Sequence, residues 1–102
     1  MWEENAQGFA AMGSEARLLV LRVLVRAGSE GLSVSDIQSR TDIAPSTLAH
    51  HLKFLAAGGL VVQEKQGRTV YSRANYDRLS ALANFILSEC CVDAPRKAAY
   101  DG

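Results

Sequence analysis

A chain of 102 residues with 48% hydrophobic and 22% charged side chains has room for one modest core and the composition of an ordinary globular protein. Basic and acidic residues balance at 11 each, which taken alone argues against a nucleic-acid partner. No run reaches the about 18 apolar residues of a membrane span and no charged-then-apolar leader opens the chain, so a cytoplasmic, reducing setting with no membrane partner is expected. The distribution of charge is more informative than its sum. Residues 44–73 hold Lys53, Lys65, Arg68 and Arg73 against Glu64 alone, with both histidines besides, while the segments on either side are slightly acidic. That local excess is a modest electrostatic footprint of the kind that meets phosphates; a solvated basic face is the alternative.

In chain order, a short segment containing Phe9 and Met12 is expected to form a separate first helix. In "AMGSEARLLVLRVLVRAG", Ser14 is a good N-cap, Glu15 favours the first turn, and Leu18, Leu21, Leu24 and Val25 recur at helical spacing up to Gly28. "SVSDIQSRTDI" reads as a short helix capped by Ser33 or Ser35 and anchored by Ile37. "APSTLAHHLKFLAAGGLV" begins with Pro45, suited to a first turn. It puts Leu48, Leu52 and Leu55 on one face, leaves Ser46, Thr47, His50 and Lys53 off it, and stops at Gly58 and Gly59 by a left-handed glycine cap. "LVVQEKQGRTVYSRA" alternates about a "KQGR" tip and predicts a β-hairpin. "YDRLSALANFILSECC" places Leu79, Leu82, Ala83 and Ile86 on one stripe of a last helix of about four turns. Residues 94–102, broken by Pro95, are expected to be a flexible tail after a single domain over 1–93.

The third and fourth helices are joined by a short turn through "TDIA" and the hairpin follows at once. This order predicts a mainly α fold with a small β-hairpin: a winged helix-turn-helix. The terminal helices keep apolar stripes that most simply bury each other across a two-fold dimer. A recognition helix offers its exposed N-terminal half to base edges in a major groove of double-stranded DNA, here Ser46, Thr47 and His50, with Ala49 able to approach a thymine methyl. Lys53 suits a phosphate, and Arg68 at the wing tip a minor groove or its phosphates. His50 and His51, being adjacent on a helix, point about 100° apart and make a poor chelate.

The stretches "MGSEARLLVLRVL", "STLAHHLKFLAAGGLV" and "QGRTVYSRA" resemble, in order and spacing, the ArsR family of winged-helix metalloregulatory repressors over about residues 8–91. The resemblance implies a homodimer that sits on a palindromic operator without a cofactor and releases it when an effector binds. Many members carry Cys-x-Cys at the start of the third helix, where this chain has Ser33 and Ser35; others bind zinc through Asp and His on the last helix, where this chain has Asp77 and no histidine. Both of those sites are absent here.

The only cysteines are Cys90 and Cys91, in "LSECCVDAP" at the expected end of the last helix. A structural disulfide is disfavoured, because neighbouring Cα atoms lie about 3.8 Å apart and disulfides usually need at least about 4.4 Å. Members of the family with such a vicinal pair respond to trivalent arsenic, so the resemblance implies arsenite or methylarsenite as effector, bound by Cys90 and Cys91. The chemistry fits: arsenic(III) is soft, prefers three ligands in a pyramid, and would take its third from a carbon substituent, hydroxide or an external thiol. Mercury(II) would also be content with two thiolates, whereas zinc wants four ligands and finds only Glu89 and Asp93 nearby. Two other readings stay open: Cys90 as a small buried hydrophobe four residues after Ile86, and the pair as a thiol redox or persulfide sensor. An enzyme is not expected, since a thiol oxidoreductase wants Cys-x-x-Cys at a helix start and no catalytic base lies near.

Overall fold

The computed structural model describes residues 1–95; most of the expected flexible tail over 94–102 lies outside the described residues. Five helices and three short strands follow in the order α1 (Trp2–Ala11), α2 (Glu15–Ala27), β1 (Leu32–Ser33), α3 (Val34–Thr41), α4 (Pro45–Ala57), β2 (Val61–Gln66), β3 (Thr69–Ala74) and α5 (Tyr76–Leu87). Local chemistry sets most boundaries. The Ser14 hydroxyl accepts from the Arg17 backbone N–H at the start of α2. Between the two serines proposed as caps of α3, Ser33 takes the role, in a reciprocal capping box with Asp36. Asn75 caps α5 by accepting from the Arg78 N–H and also donates to the Gly59 carbonyl, so one side chain starts α5 and holds the turn after α4.

The core is a leucine-rich contact between α2, α3 and α4. Val20, Leu21 and Leu24 of α2 meet Ile37 of α3 and Leu48, Leu52 and Leu55 of α4, and Leu60 before β2, with Val61 and Ala74 of the sheet, closes it from one side. Leu18 and Val25, expected on the buried stripe of α2, are 46% and 40% exposed instead. Val20 takes the buried place, so the stripe is turned from the one drawn through the leucines.

The sheet is antiparallel with strand order β1-β3-β2. The hairpin is the expected wing, with Gln66 opposite Thr69 and Gly67 at φ 64° in the two-residue turn. β1 was not expected; its two residues pair with Ser72 and Tyr71 of β3. At the end of α4 the left-handed residue is Gly59, at φ 80°, whereas Gly58 keeps a right-handed helical backbone.

α1 packs against both α4 and α5. Gly8 faces Leu82 of α5, and Gly58 faces Ala11 so closely that a Cβ on Gly58 would stand 2.5 Å from the Ala11 Cβ. Arg78 of α5 reaches back to α1, donating to the Glu4 carboxylate, the Glu4 carbonyl and the Asn5 side chain. Among the described residues no helix is long and apolar enough to cross a membrane.

Gly58→Ala poses two opposed effects. The backbone at φ −80° accepts alanine, and the loss of unfolded-state freedom would contribute about 0.4–1 kcal/mol. The overlap with Ala11 outweighs this, because overpacking costs about 1–3 kcal/mol. Chemical denaturation should show Gly58→Ala less stable than the native chain; equal or greater stability would mean that α1 is free to move away.

Candidate functional site

Two groups of residues stand out from the packed core. The first is the outward face of α4. With Leu48, Leu52 and Leu55 buried, helical geometry turns Ser46, Thr47, Ala49, His50 and Lys53 outward, and all five are exposed. Arg68 is exposed at the wing tip. His51 turns partly inward, its Nδ1 buried without a hydrogen-bond partner, so the two histidines do not share a ligand position. Arg73, one of the four cations counted in this segment, forms an ion pair with Glu64 across the hairpin at 2.8 Å. Lys53, Lys65 and Arg68 remain as exposed cations without a described ion pair.

One participant on this face was not read from the sequence. Phe54 is 47% exposed. Its ring meets the His50 imidazole edge-on at 5.0 Å between centroids, and the Arg17 guanidinium lies 5.0 Å from the same ring. Arg17 also donates through Nε to the Ala11 carbonyl at 2.6 Å, at the end of α1. A chain of contacts therefore runs from the outward face of α4 through Phe54 and Arg17 into α1. The signal was available in Phe54 lying four residues after His50, off the leucine stripe.

A model described as a helix-turn-helix domain matches residues 12–64, which run from the end of α1 into the wing. A solved ArsR-like transcriptional regulator from Rhodococcus sp. RHA1 superposes with a TM-score of 0.78 at 32% identity, over 94% of this chain and 87% of that one. The chain belongs to the ArsR family. The arsenical resistance operon repressor of Bacillus subtilis is 31% identical to this ArsR-family regulator over 88 residues, 84% of this chain and 78% of that protein. The homodimeric winged helix-turn-helix DNA-binding domain of Mycobacterium bovis Mb0332 is similar with a TM-score of 0.70 at 25% identity, covering 86% and 82% of the two chains. The regulator is thus a DNA-binding winged-helix transcription factor, and its relatives are not enzymes.

The second group is the thiol pair. α5 ends at Leu87, one turn earlier than the apolar spacing predicts, and Ser88 donates its hydroxyl to the Phe85 carbonyl. Cys90 and Cys91 therefore lie beyond the helix, in a run of tight turns closed by Cys90 N–H to Leu87 and Ala94 N–H to Cys91. Both are exposed, which removes the reading of Cys90 as a buried hydrophobe. Cys91 takes the left-handed backbone region at φ 67°, uncommon for a residue with a side chain. The two sulfurs lie 3.0 Å apart and no disulfide joins them. Beside them the ring of Trp2 from α1 meets Phe85 edge-on at 5.0 Å.

The Cys91 thiol is held above the ordinary range, first because it donates its hydrogen bond to the Cys90 sulfur, which favours its protonated form, then by desolvation and by repulsion from a charge on Cys90. A raised pKa moves the thiolate to higher pH, so at pH 7.5 Cys91 carries less thiolate than a free cysteine of pKa about 8.5. Cys90→Ala removes the main cause, and iodoacetamide should then alkylate Cys91 faster at pH 7.5 than in the native regulator. The difference should vanish at a pH above both pKa values; equal rates at pH 7.5, followed by mass spectrometry, would show the thiols to be independent.

Proposed function

We propose that this ArsR-family regulator is a homodimeric repressor that binds operator DNA through α4 and the wing and lets go when Cys90 and Cys91 capture a trivalent arsenical. The observation that carries the reading is the pair of exposed sulfurs 3.0 Å apart, a spacing suited to two bonds on one soft pyramidal atom. Among the described residues no group of three or more His, Cys, Asp or Glu stands close enough to hold a metal ion. Two thiols serve arsenic(III) well and zinc poorly.

Protonation state points the same way. Capture of a monosubstituted arsenous acid forms two As–S bonds and breaks two As–O bonds. Each hydroxide departs as water with a thiol proton, and no atom changes oxidation state. Capture therefore consumes the thiol protons, and the raised Cys91 pKa, which favours the protonated thiol, is compatible with it. Oxidation to a disulfide, the competing reading, proceeds through a thiolate and would close a strained ring between neighbouring residues.

Dimerisation is assigned to α1 and α5. Met1, Trp2, Ile86, Leu87 and Val92 are each more than 60% exposed on or beside these helices, and such a bare apolar group is a contact surface in search of a partner. The homodimeric Mycobacterium bovis domain supports dimerisation of this fold. On DNA, Ser46, Thr47, Ala49 and His50 face base edges, while Lys53 and Arg68 meet phosphate or the minor groove. Arsenical capture reshapes the turns after α5 beside the dimer face and alters the spacing of the two α4 helices. A coupling of about 1–3 kcal/mol per site is enough for a large loss of operator affinity.

Anisotropy titration on promoter DNA tests this, with arsenite, methylarsenite, zinc and a mild oxidant added in parallel to the reduced protein. An arsenical should release the DNA and zinc should not; release by oxidant alone would move the pair to redox sensing. Cys91→Ser should bind DNA with affinity within about twofold of native and fail to respond, whereas loss of DNA binding itself would make the cysteines structural. Lys53→Ala should weaken binding to all sequences alike and lower the salt-dependence slope by about 1; a change confined to one operator base would instead make Lys53 a base reader.

A further inference from the structure

The third position on a captured arsenic is not supplied by the thiol pair, and the structure places a groove where that position begins. Cys90 itself lines it, together with Trp2 of α1, Phe85 and Ile86 of α5, and Ser88 and Glu89 at the polar margin. Its volume is about 360 Å³. The walls are apolar and, in the single chain, open: Trp2 is 76% and Ile86 62% exposed, both at the margin of the face assigned to dimerisation, and the Trp2 and Phe85 rings stand at 86° to each other, forming an aromatic corner.

We infer that this groove receives the organic substituent of the arsenical and selects an aromatic one, so that the effector class is the monoaryl trivalent arsenicals. The inference rests on arsenical capture by Cys90 and Cys91 and adds its specificity. Any group bonded to an arsenic atom held by Cys90 starts at the groove's edge. A hydroxyl, as in arsenite, would face walls offering little hydrogen bonding there except Ser88 and Glu89 at the margin, and it gains nothing from the rings. A methyl group covers only a small part of the wall. A planar ring can stack on the Trp2 indole or complete the edge-to-face corner with Phe85, burying apolar surface on all three side chains. Because Trp2 belongs to α1 and Phe85 to α5, a ring lodged between them also sits on the face assigned to dimerisation. The same contact that gives preference therefore acts on the dimer face, through which the spacing of the two α4 helices is set.

The test compares phenylarsenite with methylarsenite on the full-length reduced dimer bound to promoter DNA. Both titrations are run against a fixed excess of dithiothreitol, so that the intrinsic thiol affinity of each arsenical cancels. The readout is the ratio of the two release midpoints, not either midpoint alone. In the native protein phenylarsenite should act at about tenfold lower concentration, the scale of one ring contact together with the apolar surface it buries. Trp2→Ala should bring the ratio toward one, and Ile86→Thr, which leaves Trp2 and Phe85 in place, should reduce it partway. Emission of Trp2, the single tryptophan of the chain, should change more on phenylarsenite than on methylarsenite. Equal midpoints in the native protein, or an unchanged ratio in both variants, would overturn the groove assignment while leaving two-thiol capture intact. No response to either arsenical would instead overturn two-thiol capture, and the groove assignment with it.

Discussion

α1 is the helix on which the two ends of this molecule depend. Ten residues make a helix too short to be stable alone in water, so α1 exists because it is packed. It touches α4 through Ala11 on Gly58, and α5 through Gly8 on Leu82. At its first turn, Arg78 spans from α5 to Glu4 and Asn5. At its last turn, Arg17 holds the carbonyls of Ala10 and Ala11 while covering Phe54 of the reading helix. Trp2 at one end stands beside Cys90, and Ala11 at the other stands against the end of α4. Small residues at both contacts bring the helices close, and close-packed contacts transmit displacement instead of absorbing it. The thiol pair and the outward face of α4 thus have a common neighbour in α1.

The energetic weight of the fold lies elsewhere, in the leucine contact between α2, α3 and α4. Those helices fix the angle at which α4 is presented, and the sheet is attached through Leu60, Val61 and Ala74. β1 adds little area but ties the start of α3 to the wing by pairing with β3. The wing carries Arg68 on the same strand pair that contributes to the core, so its position relative to α4 is set by packing as well as by its own turn. Charge follows a similar division. The Arg73–Glu64 pair is internal to the hairpin and exposed, of the kind worth at most about 1 kcal/mol. The cations left over are those that face outward from α4 and the wing tip.

Much of this was legible in the sequence because the deciding signals are local. Ser14, the Ser33–Asp36 box and Pro45 mark helix starts within three or four residues, and leucine periodicity marks the buried face of α4. What could not be read depends on distant partners. β1 is two residues long and is a strand only because β3 passes beside it. The stripe of α2 is rotated because Leu18 and Val25 lie outside the contact with α3 and α4. The last helix stops at Leu87, short of the cysteines, and its final residues Ile86 and Leu87 are exposed and add nothing to the core. Cys90 and Cys91 were visible as a pair, but their separation from α5 and the aromatic corner beside them arise from the turn geometry and from α1 folding back.

The left-handed backbone of Cys91 has an entropic consequence. Adjacent side chains on an extended or helical backbone diverge, and bringing two sulfurs to one atom would order the chain at the moment of capture. At φ 67° that ordering has been completed by folding, at a strain of about 1–3 kcal/mol for a residue other than glycine. Preorganisation of this kind raises affinity by removing a cost from the binding step. It separates the folded protein from every flexible dithiol peptide of the same composition. The turns after α5, and not the cysteines alone, therefore set the 3.0 Å separation of the two sulfurs.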